Sequence, residues 1–428
     1  MKYFLLGLLL LSFIPSSRAQ KNSFFTEIYA ETEKKDFFKA AELLELHRSQ
    51  FSDTENNTLL AILTNAFNQI FQSDSTVAYL LDQSDTNLPD SIRLKLLEVR
   101  HDNAYKSYDY AKAKEAVSRI LRDFEHFLNA DQVDGYKNSL KIWTILEHQP
   151  AQETELRGPV HQQMTRDLAG LNNLLLTAKG DSIPMIFDTG ANLSTITRSV
   201  AKRLQMKVLP DSIQVGTITG NRVYANLGIC EKLGLGSAVF NNVVFLVLAD
   251  EHLAFPQIDY QIHGILGFPV MESMGIISID QDGLFRAGFP RTTVSKSQKP
   301  TMAMDGLSLL IQLDGKHFYL DTGADQSMLY SRYYHQFKDE IESNYQLEEV
   351  QFGGAGGHDT FPGYQIDFKI RVNDVPLLFP KTTVLTESRN EKWKHVYGNI
   401  GQDLIVRFGS MVLDFENMQI HFINPLNP

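Results

Sequence analysis

The tetrapeptide Asp-Thr-Gly-Ala occurs twice in this chain of 428 residues, at 188–191 and at 321–324. Each copy follows an apolar segment and precedes a second motif that ends in glycine, at 264–267 and 398–401. The two aspartates are 133 residues apart, and the closing glycines of the second motifs are 134 apart. The 134-residue offset also relates further identical residues, Gly275 with Gly409 and Asp280 with Asp414. This even spacing predicts two similar folds related by an approximate two-fold axis.

The composition around the repeat is that of β structure. From about residue 165 the chain is rich in Val, Ile, Phe, Thr and Gly, and turn residues recur at intervals of about ten residues. The polar segment 290–300 shows no periodicity, which indicates a linker. We therefore expect a first all-β lobe at 165–290, a linker at 291–300 and a second all-β lobe at 301–428.

The repeated aspartates, Asp188 and Asp321, are the candidate catalytic residues. Glycine after each Asp-Thr permits a tight turn, so each carboxylate should lie at the tip of a rigid loop. Two such tips that face each other bring the carboxylates within hydrogen-bond reach, where they share one proton. The charged member can take a proton from a water while the protonated member polarises a peptide carbonyl. The pattern predicts peptide hydrolysis by direct attack of water, with no metal, no cofactor and no covalent intermediate.

The residues next to the aspartates have supporting roles in this interpretation. The threonine hydroxyls can donate hydrogen bonds that brace the two loops against each other. The residues assigned to support of the loops are Thr189, Gly190, Ala191, Thr322, Gly323 and Ala324. Those assigned to the structural glycine motif are Ile265, Leu266, Gly267, Asn399, Ile400 and Gly401.

These paired motifs resemble the active-site signature of the retropepsin and pepsin clan of aspartic proteases. Alanine after the glycine, at 191 and 324, is the retroviral-type choice, whereas two copies in one chain is the arrangement of pepsins. The chain therefore looks like a single-chain, duplicated retropepsin of the kind found among exported bacterial proteins. The resemblance covers residues 165–428. The sequence departs from the pattern of the clan at Asn399, which stands in place of an apolar residue. This departure puts the packing of the second glycine motif in question.

The resemblance also implies two flaps. Members of the clan close a glycine-tipped hairpin over the substrate, which excludes water from the site. Two glycine-containing segments occupy equivalent places in the repeat, and ordinary surface loops are the alternative interpretation. The flap candidates are Thr219, Gly220, Asn221, Gly353, Gly354 and Ala355.

Residues 20–155 have the pattern of helices. Apolar residues recur at steps of three and four, and glycine is nearly absent until Gly135. Three similar segments place alanines at 40, 78 and 113, a spacing that is typical of tetratricopeptide-like helix pairs. A plain helical bundle fits equally well. We expect this region to bind a protein partner, and the sequence leaves open a propeptide role.

The first residues predict export. Lys2 precedes an apolar run at 4–14, and the small residues Ser17 and Ala19 suit cleavage before Gln20. We therefore expect a signal peptide at 1–19 and a periplasmic or secreted protein of bacterial type, with no membrane span after cleavage. A retained anchor is the alternative.

Charge and cysteine content narrow the function classes. The net charge of −11 argues against a nucleic-acid partner. The single cysteine, Cys230, excludes an intramolecular disulfide, and it suits a buried apolar position better than a nucleophile.

The sequence thus predicts a multidomain protein in which an all-α N-terminal region precedes two all-β, retropepsin-like lobes. The lobes should form a pseudo-two-fold, bilobal aspartic protease that acts as a monomer on peptide or protein substrates. One alternative is a catalytically silent binding or scaffold protein that keeps the protease fold. Retention of both Asp-Thr-Gly-Ala copies argues against it. Another alternative is that each lobe pairs with a lobe of a second chain.

Overall fold

The computed structural model describes residues 17–82, 88–216, 222–288, 299–354, 357–388 and 391–425. Most of the proposed signal peptide and linker, and the flap candidates Thr219, Gly220, Asn221 and Ala355, lie outside these residues. Within them, no helix combines the length and apolar character that crossing a membrane requires.

Helices that pack in consecutive pairs occupy the N-terminal region. They are α1 (Ser17–Glu33), α2 (Phe37–His47), α3 (Asp53–Ala66), α4 (Ile70–Asp82), α5 (Asp90–Lys106), α6 (Tyr110–Phe124) and α7 (Ala130–Leu146). The same kind of turn joins the two helices of each of three pairs, α1–α2, α3–α4 and α5–α6. In each turn one residue, Lys35, Asn68 or Tyr108, has a left-handed backbone, with φ of 59°, 56° and 59°. The weak sequence repeat therefore corresponds to a repeated turn.

Two of the repeated segments also share a helix cap and a buried small residue. The side chains of Asp36 and Asp109 accept hydrogen bonds from backbone N–H groups at the starts of α2 and α6. Ala40 and Ala113 are fully buried. In the middle segment Val77 is buried instead, and its neighbour Ala78 is only half-buried.

Strands form nearly all of the remaining structure. In the first half they are β1 (Glu153–Leu156), β2 (Val160–Gln163), β3 (Thr165–Arg166), β4 (Asn172–Ala178), β5 (Asp181–Phe187), β6 (Ser194–Thr197), β7 (Lys207–Gly216), β8 (Arg222–Leu235), β9 (Ala238–Leu248), β10 (Ala254–Phe255), β11 (Tyr260–Gln261), β12 (Gly264–Leu266), β13 (Ile276–Asp280) and β14 (Leu284–Ala287). In the second half they are β15 (Met302–Asp305), β16 (Ser308–Leu313), β17 (Lys316–Leu320), β18 (Met328–Leu329), β19 (Glu348–Gly354), β20 (Gly357–Val372), β21 (Val375–Leu385), β22 (Gly398–Ile400), β23 (Phe408–Asp414) and β24 (Gln419–Pro425). Short helices between them are α8 (Arg198–Arg203), α9 (Phe268–Glu272), α10 (Ser331–Gln336), α11 (Lys338–Asn344) and α12 (Gln402–Ile405).

Two large sheets have the same order of strand pairings. In sheet I, the nine-stranded sheet, β4–β5 is antiparallel, β5–β12 parallel, β12–β6 antiparallel and β6–β9 parallel. In sheet II, the eight-stranded sheet, β16–β17, β17–β22, β22–β18 and β18–β21 repeat these directions. Each aspartate follows a strand that is parallel to its own glycine-motif strand. This pairing places the two motifs of each half side by side.

A third, five-stranded antiparallel sheet contains strands from both halves. Its order is β2-β14-β13-β23-β24, and we call it sheet III. At its centre β13 of the first half pairs with β23 of the second, with Ile276 opposite Asp414 and Asp280 opposite Ser410. The two halves of the chain are thus joined by continuous backbone hydrogen bonding.

The end of the helical region differs from the sequence-based expectation of 20–155. The last helix, α7, ends at Leu146, and β1 begins at Glu153. β1 lies at the edge of sheet I beside β9, and none of its four side chains is fully buried. A short edge strand of this kind lacks the alternation of apolar residues by which strands are recognised in sequence.

The helices share their core with the sheets. One continuous apolar cluster includes Ile28 of α1, Leu59 of α3, Met302 of β15 and Phe422 of β24. Polar contacts add to it, since the Lys35 ammonium lies 2.9 Å from an Asp305 carboxylate oxygen. The helical region is therefore packed onto the β region and is not a detached unit.

Candidate active site

The structure brings Asp188 and Asp321 together from two distant parts of the chain. Each aspartate directly follows a strand, β5 or β17. The backbone N–H of Asp188 donates to the Leu266 carbonyl at 3.2 Å, and that of Asp321 donates to the Ile400 carbonyl at 2.9 Å. The parallel ladder thus continues into each loop, and the glycine-motif strand fixes the position of the aspartate beside it.

The two threonines join the loops. The backbone N–H of Thr189 donates to the Thr322 hydroxyl at 3.0 Å, and the backbone N–H of Thr322 donates to the Thr189 hydroxyl at the same distance. Each hydroxyl then donates across the junction, Thr189 to the Leu320 carbonyl and Thr322 to the Phe187 carbonyl, both at 2.7 Å. Both threonines are buried. Four reciprocal bonds inside the protein therefore fix one loop relative to the other.

The glycines after the threonines leave room for the opposing carboxylates. The N–H of Gly190 donates to Asp188 Oδ1 at 2.8 Å, and the N–H of Gly323 donates to Asp321 Oδ1 at 3.0 Å. Neither glycine has a positive φ, so the tight turn expected from sequence does not require glycine here. A Cβ at Gly190 would instead lie 2.8 Å from Asp321 Oδ1, and one at Gly323 would lie 2.6 Å from Asp188 Oδ1.

We expect Gly323→Ala to reduce peptide cleavage by about 100-fold or more, because the new methyl would displace the Asp188 carboxylate by a fraction of an ångström or more. The measurement is kcat/KM on a peptide substrate of the wild type. Gly135→Ala is the matched control, since a Cβ there meets nothing within 4 Å. The control should retain full activity and gain up to about 1 kcal/mol of stability in its helix. Full activity in Gly323→Ala would contradict the proposed crowding.

The two carboxyl groups face each other across the junction and are only partly exposed, and a Cβ on either loop glycine would clash with the opposing carboxyl. Burial and the charge of Asp321 raise the pKa of Asp188 well above its usual range. Burial also raises the pKa of Asp321, and the hydrogen bonds from Asp188, the Gly323 amide and Asn399 oppose this rise. Two carboxylates that face each other this closely repel when both are ionised, which favours the state in which the pair holds one proton.

Two serines that sequence reasoning missed support the glycine motifs. The N–H of Gly267 donates to the Ser194 hydroxyl at 3.0 Å, and the N–H of Gly401 donates to the Ser327 hydroxyl at 3.1 Å. Ser194 and Ser327 are 133 residues apart, like the aspartates. Their shared offset is the feature of the sequence that could have identified them.

The second glycine motif forms the same strand contacts as the first. Asn399, at which the sequence departs from the apolar pattern, is buried in β22 and lies opposite Tyr319 of β17. Ile265 lies opposite Ile186 at the equivalent place in sheet I. The polar residue therefore does not prevent the strand pairing in sheet II.

Of the flap candidates, the structure describes Gly353 and Gly354. They end β19, whose pairing with β20 continues to Gly354 opposite Gly357. In the first half, the pairing of β7 with β8 continues to Gly216 opposite Arg222. Gly353 and Gly354 thus end one strand of an antiparallel pair, and the other candidates lie outside the described residues.

The single cysteine of the chain is buried. Cys230 is in β8, and burial raises the pKa of its thiol to about 11. A thiol with this pKa is almost entirely protonated at neutral pH and is a poor nucleophile.

Comparison with known families agrees with this geometry. Residues 175–270 match a family model described as aspartyl protease. The matched segment runs from β4 to α9 and includes Asp188 and the first glycine motif, and it covers less than a quarter of the chain. A search of curated proteins found no match. The fold and the site thus define a protein with an N-terminal helical region and a β-rich region that is similar, over residues 175–270, to retropepsin-like aspartyl proteases.

Proposed function

We propose that the protein is an aspartic endopeptidase in which Asp188 and Asp321 together activate a water molecule. The observation that carries this proposal is the pair of facing carboxyls, held between two loops by the reciprocal Thr189 and Thr322 bonds. Buried carboxyls cost free energy, and a protein with only a structural need for this junction could fill it with apolar side chains.

The proposed reaction uses the pair as acid and base in turn. The ionised carboxylate accepts a proton from a water, and the water oxygen attacks the carbonyl carbon of the scissile peptide. The protonated carboxyl donates its proton to the carbonyl oxygen, which gives a neutral tetrahedral diol. The proton taken from water then passes to the amide nitrogen. The C–N bond breaks, the diol returns a proton to the pair, and the free carboxyl and amine products leave.

The sheet architecture supports one active site per chain. The matching pairings of sheets I and II, and the central β13–β23 pair of sheet III, suit two lobes of one monomer. We propose that this monomer cleaves peptides or proteins after export, because residues 1–19 have the pattern of a signal peptide. The helical region is proposed to bind a protein partner.

The direct test is incubation of the purified protein with a mixed peptide library at several pH values, with mass spectrometry of the products. We expect internal cleavage of peptides that is insensitive to metal chelators. A folded protein that cleaves no peptide at any pH would favour the silent binding protein, and inhibition by chelators would indicate a different mechanism.

We expect the pH profile of kcat/KM to be bell-shaped with an optimum at roughly pH 4.5–7, above that of pepsins. The physical reason is that Ala191 and Ala324 cannot donate a side-chain hydrogen bond to the carboxylates, while burial raises the pKa of both aspartates. In Ala191→Ser the new hydroxyl would donate a hydrogen bond that favours the ionised form of the aspartate pair. This bond should lower the pKa of the pair and move the acidic limb of the profile to lower pH.

The control for this variant is Ala151→Ser, at an exposed position, which should leave the profile unchanged. An optimum at strongly acidic pH in the wild type, or an Ala191→Ser profile identical to it, would contradict this explanation.

A further inference from the structure

Asn399 makes the surroundings of the two aspartates unequal. In the first half, Ile265 lies opposite Ile186, two residues before Asp188. In the second half, Asn399 lies opposite Tyr319, two residues before Asp321. Ile265 and Asn399 are both buried, with 8% and 5% of their surface exposed. The same buried place beside the active site thus holds an apolar side chain in one half and an amide in the other.

The Asn399 amide is directed at the Asp321 carboxylate. Its Nδ2 lies 3.5 Å from Asp321 Oδ2, a long hydrogen bond. The other carboxylate oxygen, Oδ1, accepts the N–H of Gly323. Asn399 therefore adds a side-chain donor on Oδ2 to the backbone donor that Gly323 supplies on Oδ1. Ile265 cannot donate in this way to Asp188, because its side chain is a hydrocarbon.

An amide side chain at position 399 destabilises the folded protein, so its presence there calls for a role in the site. Asn399 Oδ1 is buried and has no hydrogen-bond partner among the residues that the structure describes. Burial of a polar atom without a partner destabilises the folded state, and an isoleucine in β22 would avoid this cost, as it does in β12. The unpaired Oδ1 atom and the donor contact to Asp321 both indicate that the amide serves the site more than the fold.

We propose that Asn399 is a positioning residue of the aspartate pair: its amide holds Asp321 in the ionised form, so that the shared proton resides on Asp188. This inference rests on the proposed function and specifies it further. Asp321 is then the base that takes the proton from water, and Asp188 is the acid that donates to the carbonyl of the substrate. Two loops of identical sequence acquire different roles from one residue behind them.

The electrostatics of the surroundings agree with this assignment. Burial and the Asp321 charge raise the pKa of Asp188 well above its usual range. Burial also raises the pKa of Asp321, but the Asn399 bond is one of the contacts that oppose this rise. Tyr330 is in electrostatic contact with Asp321, and burial and the Asp321 charge raise the pKa of Tyr330 well above its usual range, so it stays neutral. Ionisable side chains on β17, α12 and α10 have partners other than Asp321: Tyr319 bonds to Asp305, Asp403 to Ser327 and Arg332 to His395.

The test compares the pH profiles of kcat/KM for Asn399→Leu and Ile265→Asn with that of the wild type. Asn399→Leu removes the donor and keeps a similar volume. It should move the acidic limb to higher pH by about 0.5 to 1 unit, because the ionised form of Asp321 loses stabilisation. The alkaline limb should stay in place, since Asp321 is already ionised there. KM at the optimum should remain within about twofold, because Asn399 is assigned no contact with substrate.

Ile265→Asn is the matched variant on the other side. It offers a donor to Asp188, whose proton is lost on the alkaline limb, so that limb should move to lower pH while the acidic limb stays. A merely structural role for Asn399 predicts lower stability with both limbs unmoved. An unmoved acidic limb in Asn399→Leu, or an unmoved alkaline limb in Ile265→Asn, would overturn the inference.

Carbon-13 NMR of wild-type protein labelled at the aspartate Cγ gives a second measurement that does not depend on these variants folding. At the pH optimum we expect Asp321 to give a carboxylate resonance and Asp188 a carboxyl resonance. The reverse assignment would overturn the inference and leave the proposed function intact. Absence of any proteolysis by the folded wild type would instead refute the proposed function.

Discussion

Asp188→Asn and Asp321→Asn will each reduce kcat by about a thousandfold or more, because one carboxyl cannot act as both acid and base in the same step. Asparagine keeps the size of the side chain and an acceptor for the Gly190 or Gly323 amide, so the loops should remain in place. The double variant should be hardly slower than either single one, since the two residues act as one unit. The measurement is single-turnover cleavage of a peptide identified from the library.

A surface substitution controls for the loss of negative charge. Asp211→Asn changes the net charge equally at an exposed position and should retain full activity. Thermal unfolding should show both active-site variants to be at least as stable as the wild type, because each removes a buried ionisable group that burial disfavours. Full activity in either single variant, with no wild-type protein present, would refute the assignment of the pair.

Removal of the helical region will have the second large effect. We expect the whole chain to unfold in one cooperative transition, and a chain shortened to residues 150–428 not to fold stably. The apolar cluster continues from α1 to β24, and every residue of β15 is buried under this packing. Each large apolar side chain that is exposed costs about 1.5–3 kcal/mol, so a few of them exceed the 5–15 kcal/mol that typically stabilises a protein.

A pair of point variants tests the same contact without truncation. Lys35→Met removes the cation 2.9 Å from the buried Asp305 carboxylate and should cost about 3 kcal/mol in the free energy of unfolding. The control is Lys299→Met, whose ion pair with Glu42 is exposed on both sides and should cost less than about 0.5 kcal/mol. Chemical denaturation measures both. Two separate unfolding transitions, or efficient cleavage by the shortened chain, would show that the helices form an independent domain.

The parts of the site that sequence could predict are those that the repeat marks twice. Asp188 and Asp321 stand out because the same four residues recur at a fixed offset, and the β-rich composition from residue 165 predicts strands around them. Ser194 and Ser327 share the offset, but serine is common, and its role follows only from the hydroxyl that accepts the glycine amide.

Other features depend on contacts between distant residues. The reason for glycine at 190 and 323 is the opposing carboxylate, which comes from the other half of the chain. Asn399 looked like a disturbance of the glycine motif, because its contact with Asp321 requires the parallel pairing of β17 and β22. The packing of the helices on β15 is a tertiary property, and no local pattern of residues encodes it.

Sheet III has a further consequence for how the site is assembled. Since β13 and β23 belong to one chain, the encounter of the two aspartate loops is unimolecular. The free-energy cost of bringing the two loops together therefore does not depend on the concentration of the protein. In the proposed monomer the carboxyl pair stays complete on dilution, whereas a site built from two separate chains would be lost as the chains dissociate.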